Sequence, residues 1–370
     1  MMSNTLMVGT RKGLAEVCRA ANGTWSVQRL DFAGDPVVAV VRDPRDGALY
    51  ASFDHGHFGV KLHRRDRDDG VWTQIATPSY PTKPDGLDDR EPMGQTVVPW
   101  NTEYAWVIEP GHADEPGVMW CGTIPGGLFR SDDRGETWSI NEALWYHEKR
   151  PGWFGGGFNL PGIHSISIDP RDAAAMVLGV SCGGAWRSDD GGANWRVATG
   201  MMAGYLPPSE EADPYTQDPH RVVRCAAAPD VLWIQHHCGI YRSTDGGLTY
   251  AEITGVEPSN FGFAVAAHPT DPDTAWFVPA VSDMVRVPVD GKLVVTRTRD
   301  GGRTFEKVGA GLPSEHAYDL IYRHGLAIDA TGNRLAMGST TGSLWVSEDG
   351  ADTMTLVSAN LPPIACVAFV

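Results

Sequence analysis

Ser131-Asp-Asp-Arg-Gly-Glu-Thr-Trp138 decides the fold because it recurs. Ser188-Asp-Asp-Gly-Gly-Ala-Asn-Trp195 repeats it with Asn for Thr. Ser243-Thr-Asp-Gly-Gly-Leu-Thr-Tyr250 and Thr298-Arg-Asp-Gly-Gly-Arg-Thr-Phe305 follow, and Ser347-Glu-Asp-Gly-Ala-Asp-Thr-Met354 is a weaker copy. The central aspartates, Asp133, Asp190, Asp245, Asp300 and Asp349, are separated by steps of 57, 55, 55 and 49 residues. Decayed versions precede them at Asp68-Asp-Gly-Val-Trp72 and Asn22-Gly-Thr-Trp25.

The string has a local physical meaning. A hairpin turn needs positive φ, which Gly supplies without strain. An Asp within the turn accepts backbone N–H groups that otherwise go unpaired. The aromatic residue opens the next strand and packs under the turn. Each copy sits among short β-rich runs, such as Ile166–Asp169, Met176–Val180, Ala185–Ser188 and Trp195–Ala198. Four short strands joined by Gly, Pro and Asp turns predict a four-stranded antiparallel sheet, and radial repetition of such sheets predicts the blades of a β-propeller.

Counting blades gives seven. The N-terminus supplies three strands, Leu6–Gly9, Leu14–Cys18 and Trp25–Leu30, and the C-terminus supplies a lone apolar run, Ile364–Val370. Pairing that run with the first three strands closes the ring and removes the open edge at its seam. The other six blades are expected near 37–76, 103–140, 164–198, 221–253, 263–308 and 321–358. The sequence therefore reads as all-β, a seven-bladed β-propeller of four-stranded antiparallel blades, one domain over 1–370.

Composition narrows the partners. The chain has 370 residues and a formal net charge of -16, which repels nucleic-acid phosphates and anionic membrane surface. No apolar run approaches the roughly 20 residues of a membrane helix. The opening stretch, Met1-Met-Ser-Asn-Thr-Leu-Met7, lacks the basic and apolar regions of a secretory leader. Six scattered cysteines, never spaced as CxxC, read as reduced thiols of a cytoplasmic protein.

The chain resembles the BNR or Asp-box repeat propellers, on the five boxes quoted above and over nearly its whole length. It is also similar to a bacterial group of such propellers labelled glycosyl hydrolase or exo-sialidase-like. The residues that carry this likeness are Trp153-Phe-Gly-Gly-Gly-Phe-Asn-Leu-Pro-Gly-Ile-His-Ser165, Val180-Ser-Cys-Gly-Gly184 and Gln235-His-His-Cys-Gly239. The resemblance implies a propeller and suggests glycosidase-like chemistry. Asp-box propellers also include sorting receptors and photosystem assembly factors, so fold alone does not choose a function. Sialidases of this superfamily carry an Arg-Ile-Pro near the first blade, two further arginines and a Tyr/Glu pair. This chain has Gly9-Thr-Arg-Lys-Gly13 there, and its nearest match, Arg286-Val-Pro288, lies far down the chain. No sialidase machinery is carried over.

In a propeller the boxes occupy one rim. The opposite rim here receives the long segments Thr77–Gln95, Asn141–Gly162, Gly200–Pro219 and Ser282–Leu293. Long segments in a compact fold are commonly functional, and these carry Trp145, Tyr146, Trp153, Phe154, Phe158, Tyr205 and Tyr215. Aligned on the box serine, His236 and His237 fall where other blades have Ser181 and Cys182, or Thr340 and Thr341. This turn varies while the box stays uniform, so it can face a ligand. Side chains alternate along a strand, so one of the adjacent histidines is turned away, and His237 is taken as the one facing the ligand.

Imidazole is an acid or base near neutral pH. The candidate catalytic residues are His164, His220, His237 and Asp54. The candidate substrate contacts are Arg11, His57, Gln235, Arg221, Trp153 and His324. Glycoside hydrolysis usually uses two carboxylates, and Asp54, Glu148, Glu210, Glu211 and Asp283 all lie on the long-segment rim. Neutral imidazoles at His57, His164, His220 and His237 can also take a divalent transition metal, although no tight ligand spacing supports one. Two classes of function follow. One is a hydrolase-like or lyase-like enzyme acting on a polar, carbohydrate-like small molecule at the channel mouth. The other is a non-catalytic module that binds a glycan or a protein across the long-segment rim.

Overall fold

The computed structural model describes residues 3–67, 70–201 and 213–370. It is all-β: seven four-stranded antiparallel sheets, the blades of a seven-bladed β-propeller. The first blade takes its strands in the order Ile364–Phe369, Thr5–Thr10, Gly13–Arg19 and Trp25–Asp31. Leu6 pairs with Phe369 and Val8 with Val367, so the C-terminal strand completes the N-terminal blade as expected. The other six sheets run over 37–75, 104–140, 162–197, 219–253, 262–308 and 326–358.

Two blades begin earlier than their apolar runs suggest. The strand Gly162–Asp169 starts two residues before His164 and slips register between Ile163 and Ser165, a bulge that period-two reading does not detect. The strand Pro219–Arg224 likewise places His220 inside a strand. His324 precedes the strand Leu326–Ile328 and bridges Cys366.

Every box folds by one set of bonds. In the first full copy Ser131 Oγ donates to Asp133 Oδ1 at 2.7 Å and accepts from Gly135 N at 2.8 Å. Asp133 accepts from Thr137 N and Thr137 Oγ1 at 2.9 and 2.6 Å. The same geometry recurs at Ser188–Asn194 and Ser243–Thr249. It recurs again at Thr298–Thr304. The aromatic residue then ties the turn to the preceding segment: Trp138 Nε1 donates to Ala76 O, and Trp195 Nε1 to Asn141 Oδ1. In the weak copy Ala351 occupies the glycine position at φ 77°.

Packing divides the chain into two compact units, 1–40 with 223–242 and 252–370, and 41–222 with 243–251. The first holds buried clusters around Leu6, Val8 and Ile364, around Trp276 and Trp345, and around Trp233 and Phe277. The second holds Trp120, Trp153, Trp186 and Trp195 with Leu144 and Leu178. Among the described residues no helix is long and apolar enough to cross a membrane.

The long segments of the second unit are built into this core. Asn141 caps the short helix Glu142–Trp145 by accepting from Leu144 N. Asp89 accepts from Trp100 Nε1 at 2.9 Å and from Arg150 Nη2 at 2.8 Å, and the Arg150 guanidinium lies 4.2 Å from the centre of the Trp145 ring. Asp89 is buried, and the cation and indole donor that meet it satisfy its charge. Much of the aromatic content of these segments thus packs against the protein itself.

Candidate functional site

The second unit gathers its polar groups at the turn Ser181–Gly184. Asp218 Oδ1 accepts from Cys182 N at 3.1 Å and from Ser181 Oγ at 3.3 Å. Gln217 O accepts from Gly184 N at 2.8 Å, and Cys182 O accepts from Phe154 N at 3.3 Å. The segments before Gly162 and before Pro219 therefore converge on one turn. Cys182 holds φ 48°, a left-handed conformation rare for a side-chain-bearing residue. Gly156 lies against the same turn. A Cβ there would come within 2.7 Å of Cys182 Sγ, 3.1 Å of Ser181 Oγ and 3.4 Å of Asp218 Oδ2, so a side chain there would crowd all three.

His220 Nε2 lies 3.3 Å from Asp218 Oδ2, and the two side chains are only 3% and 4% exposed. Residues i and i+2 of an extended segment share a face, which is how Asp218 and His220 meet across Pro219. A carboxylate beside one ring nitrogen orients the imidazole and favours a proton on that nitrogen. The pair therefore has the form of an oriented general base. Carboxylate and imidazole are also ligand types that a divalent transition metal accepts, so these two residues fit that use as well.

His164 is fully buried, and its Nε2 faces Pro219 O at 2.7 Å while Nδ1 faces Ser165 Oγ at 2.9 Å. A carbonyl only accepts, so Nε2 carries the proton and Nδ1 accepts from the serine. Ser165 Oγ in turn accepts from Val222 N at 3.1 Å, and Arg221 Nη1 donates to His164 O at 3.1 Å. His164 and Arg221 thus clamp the strand that carries His220. Both nitrogens of His164 are engaged by the protein, which suits a positioning role better than the catalytic one expected.

Trp153, expected to touch substrate, is 1% exposed and packs on Trp186 at 5.5 Å; it anchors its segment from the core. Asp54 accepts from Gly56 N, and exposed His57 lies against Phe58, so both make these contacts within their own turn. Glu148 is a surface charge beside Lys149. Glu210, Glu211 and Tyr205 lie outside the described residues.

In the first unit, buried Gln235 donates its amide to the carbonyls of His236, Gly239 and Asn260, holding its own turn together. His236 is buried and accepts from Cys238 N, while His237 is 21% exposed with Nε2 3.7 Å from Asp283 Oδ2. The two neighbours differ in burial, and His237 lies just past the end of the strand Leu232–His236. Arg11 is exposed and donates its N–H to Pro363 O.

Sequence reasoning missed Asp218, although Asp218-Pro-His220 carried a readable signal in its spacing. It also missed Glu109, on the strand Tyr104–Pro110. Burial pushes the Glu109 carboxyl up to about 7, against the opposing pull of Arg221.

The fold and site define a β-propeller with a buried carboxylate–imidazole pair. No family model matches the chain. It is 27% identical over 255 residues to a xyloglucanase of Paenibacillus sp, covering 63% of this chain and 23% of that protein. The chain spans less than a third of the length of the curated relatives it matches. Among solved structures, an ancestral GH74 enzyme superposes with a TM-score of 0.57 at 16% identity, over 87% of this chain and 37% of that one. YCF48 bound to D1 peptide superposes with a TM-score of 0.54 at 14% identity, over 94% and 95%. At such identities the structural likeness establishes the fold.

Proposed function

We propose that this propeller is glycosyl hydrolase-like, acting on a carbohydrate through His220 oriented by Asp218. The observation that carries the reading is the 3.3 Å Asp218–His220 contact, in which His220 keeps a 2% exposed edge, braced by Ser181, Cys182 N–H and His164. A buried acid–base pair costs stability unless its charges are matched, and an investment of that kind is typical of functional sites. Likeness to xyloglucanases supports a glucan as the ligand. His220 would take a proton from the attacking water and return it to the leaving sugar oxygen. His164 and Arg221 hold the strand in register.

The experiment is incubation of the purified protein with xyloglucan, with mixed-linkage glucan as a comparison, and measurement of new reducing ends. Asp218→Asn keeps shape and removes the charge that orients His220. Turnover in the wild type and loss in the variant are expected. Equal turnover in both refutes the role given to Asp218. A non-catalytic glycan-binding module is the second reading, favoured by the exposed ring of Phe158, and binding without any new reducing ends would select it.

A further inference from the structure

Beside the buried pair lies a group of aromatic rings that the acid–base reading does not use. Tyr104 and Trp106 stand on the strand Tyr104–Pro110, with ring centres 6.2 Å apart. Phe158 descends onto both, 5.2 Å from Tyr104 and 5.1 Å from Trp106. Trp106 also meets His164, with ring centres 5.4 Å apart. Trp106 is 7% exposed, so it serves as the floor, whereas Phe158 keeps 42% of its surface open.

The segment that presents Phe158 is the one that closes on Asp218. Phe154-Gly-Gly-Gly-Phe-Asn159 has three consecutive glycines, and two of them make close contacts. A Cβ on Gly155 would meet Phe158 O at 2.2 Å and Asn159 C at 2.5 Å, so this loop folds back on itself only with glycine there. Gly156 then lies against Ser181, Cys182 and Asp218. Phe158 follows Gly156 by two positions, a reach of at most about 7 Å between their Cα atoms. An apolar ring carried by the same short segment that lies against the buried acid–base pair suits the axial C–H face of a sugar. It is unsuited to an anionic ligand, because the nearest ring faces are electron-rich.

We propose that Phe158, supported by Tyr104 and Trp106, is a stacking platform for one neutral pyranose ring of an oligosaccharide whose scissile bond lies at His220. The glycine run is the device that couples the two: the segment Phe154–Asn159 both places the platform and lies against Asp218. This inference rests on the carbohydrate reading above.

The test uses the full chain carrying Asp218→Asn, so that binding is read without turnover, and a xyloglucan oligosaccharide as probe. Titration calorimetry and tryptophan fluorescence are followed together, since stacking on Phe158 alters the surroundings of Trp106. Phe158→Ala is expected to weaken binding at least 10-fold and to abolish the fluorescence change, and Phe158→Trp is expected to restore affinity. In the otherwise native chain Phe158→Ala should raise KM with kcat changed less than about threefold, the pattern of lost uniform binding. Tyr146→Ala, removing an aromatic residue exposed at 56%, is the control expected to bind normally. Unchanged affinity in Phe158→Ala overturns the platform and leaves the carbohydrate reading standing. No binding by any form, including the chain with Phe158 and Asp218 intact, overturns both.

Discussion

The strand Gly184–Ser188 has a different turn at each end. At its C-terminal end Ser188, Asp190, Gly192 and Asn194 satisfy one another within seven residues. At its N-terminal end Ser181 and Cys182 are satisfied by Asp218, 37 and 36 residues further along. Both turns set a serine against an aspartate. One carboxylate is exposed and repeated in every blade that carries the motif. The other is buried, whereas the residues that align with Cys182 in two other blades, His237 and Thr341, meet carboxylates that stay partly exposed, Asp283 and Asp319. A self-contained turn can be copied from blade to blade. A turn completed from outside takes a different partner in each blade, and where that partner is buried a site can be built without disturbing the repeat.

Breaking each turn should therefore have a different readout. The largest effect is expected from Asp218→Asn, which should lower turnover of xyloglucan by 100-fold or more, a magnitude typical of losing an oriented general base, while the circular dichroism spectrum stays native. Next comes Ser188→Ala. Its hydroxyl is 1% exposed and accepts from the buried Gly192 N–H at 2.8 Å. Leaving that donor unpaired should cost about 1–3 kcal/mol in urea unfolding, with turnover per folded molecule unchanged. A Ser188→Ala variant that loses activity while retaining stability would erase the distinction between the two ends of the strand.

The same contrast explains what could be read from the sequence. The seven blades, their order and the closure of Ile364–Phe369 onto Thr5–Thr10 were legible because each depends on local turn chemistry and alternation. That the turn at Ser181–Cys182 varies between blades was legible too, by contrast with the uniform boxes. Asp218 was not, because its role depends on which distant turn it meets. Trp153 and Gln235 were given ligand-facing roles from residue type, yet one packs in the core and the other binds three backbone carbonyls. Residue type signals polarity or bulk, and burial decides how it is used.

A smaller effect should appear in the pH dependence of stability, where two kinds of carboxylate act in opposite directions. Hydrogen bonds from Asn194 hold Asp190 below the usual carboxylate range, and those from Thr304 bring Asp300 to about 2. Their folded values lie below the unfolded ones, so their contribution is present above pH 4 and lost as pH falls toward 2. Glu109 is the reverse, with burial raising it from 4.5 to about 7. The folded state then holds its proton more tightly than the unfolded chain, and stability falls as pH rises from about 4.5 to 7. Glu109→Gln removes that titration. Its melting temperature should equal the wild type's near pH 4 and exceed it above pH 7. A constant offset across that range would show that Glu109 is not the group responsible.

The smallest effect tests how far the box has been relaxed. Ala351 stands where the other four copies have Gly135, Gly192, Gly247 and Gly302, at φ values of 86°, 88°, 89° and 90°. Ala351 adopts 77° and keeps the bond from its N–H to Ser347 Oγ at 2.8 Å. The left-handed conformation costs a side-chain-bearing residue about 1–2 kcal/mol, and glycine gives back about 0.5–1 kcal/mol through the greater freedom of its unfolded chain. Ala351→Gly should accordingly stabilise the protein by about 0.5 kcal/mol, read as a shift in the urea midpoint at constant m-value. Ala351 is fully buried against Trp345 and Met354, so its methyl group also fills space. A destabilised Ala351→Gly would mean that this packing outweighs the backbone strain, and that the fifth box is held by the core around it more than by its own turn.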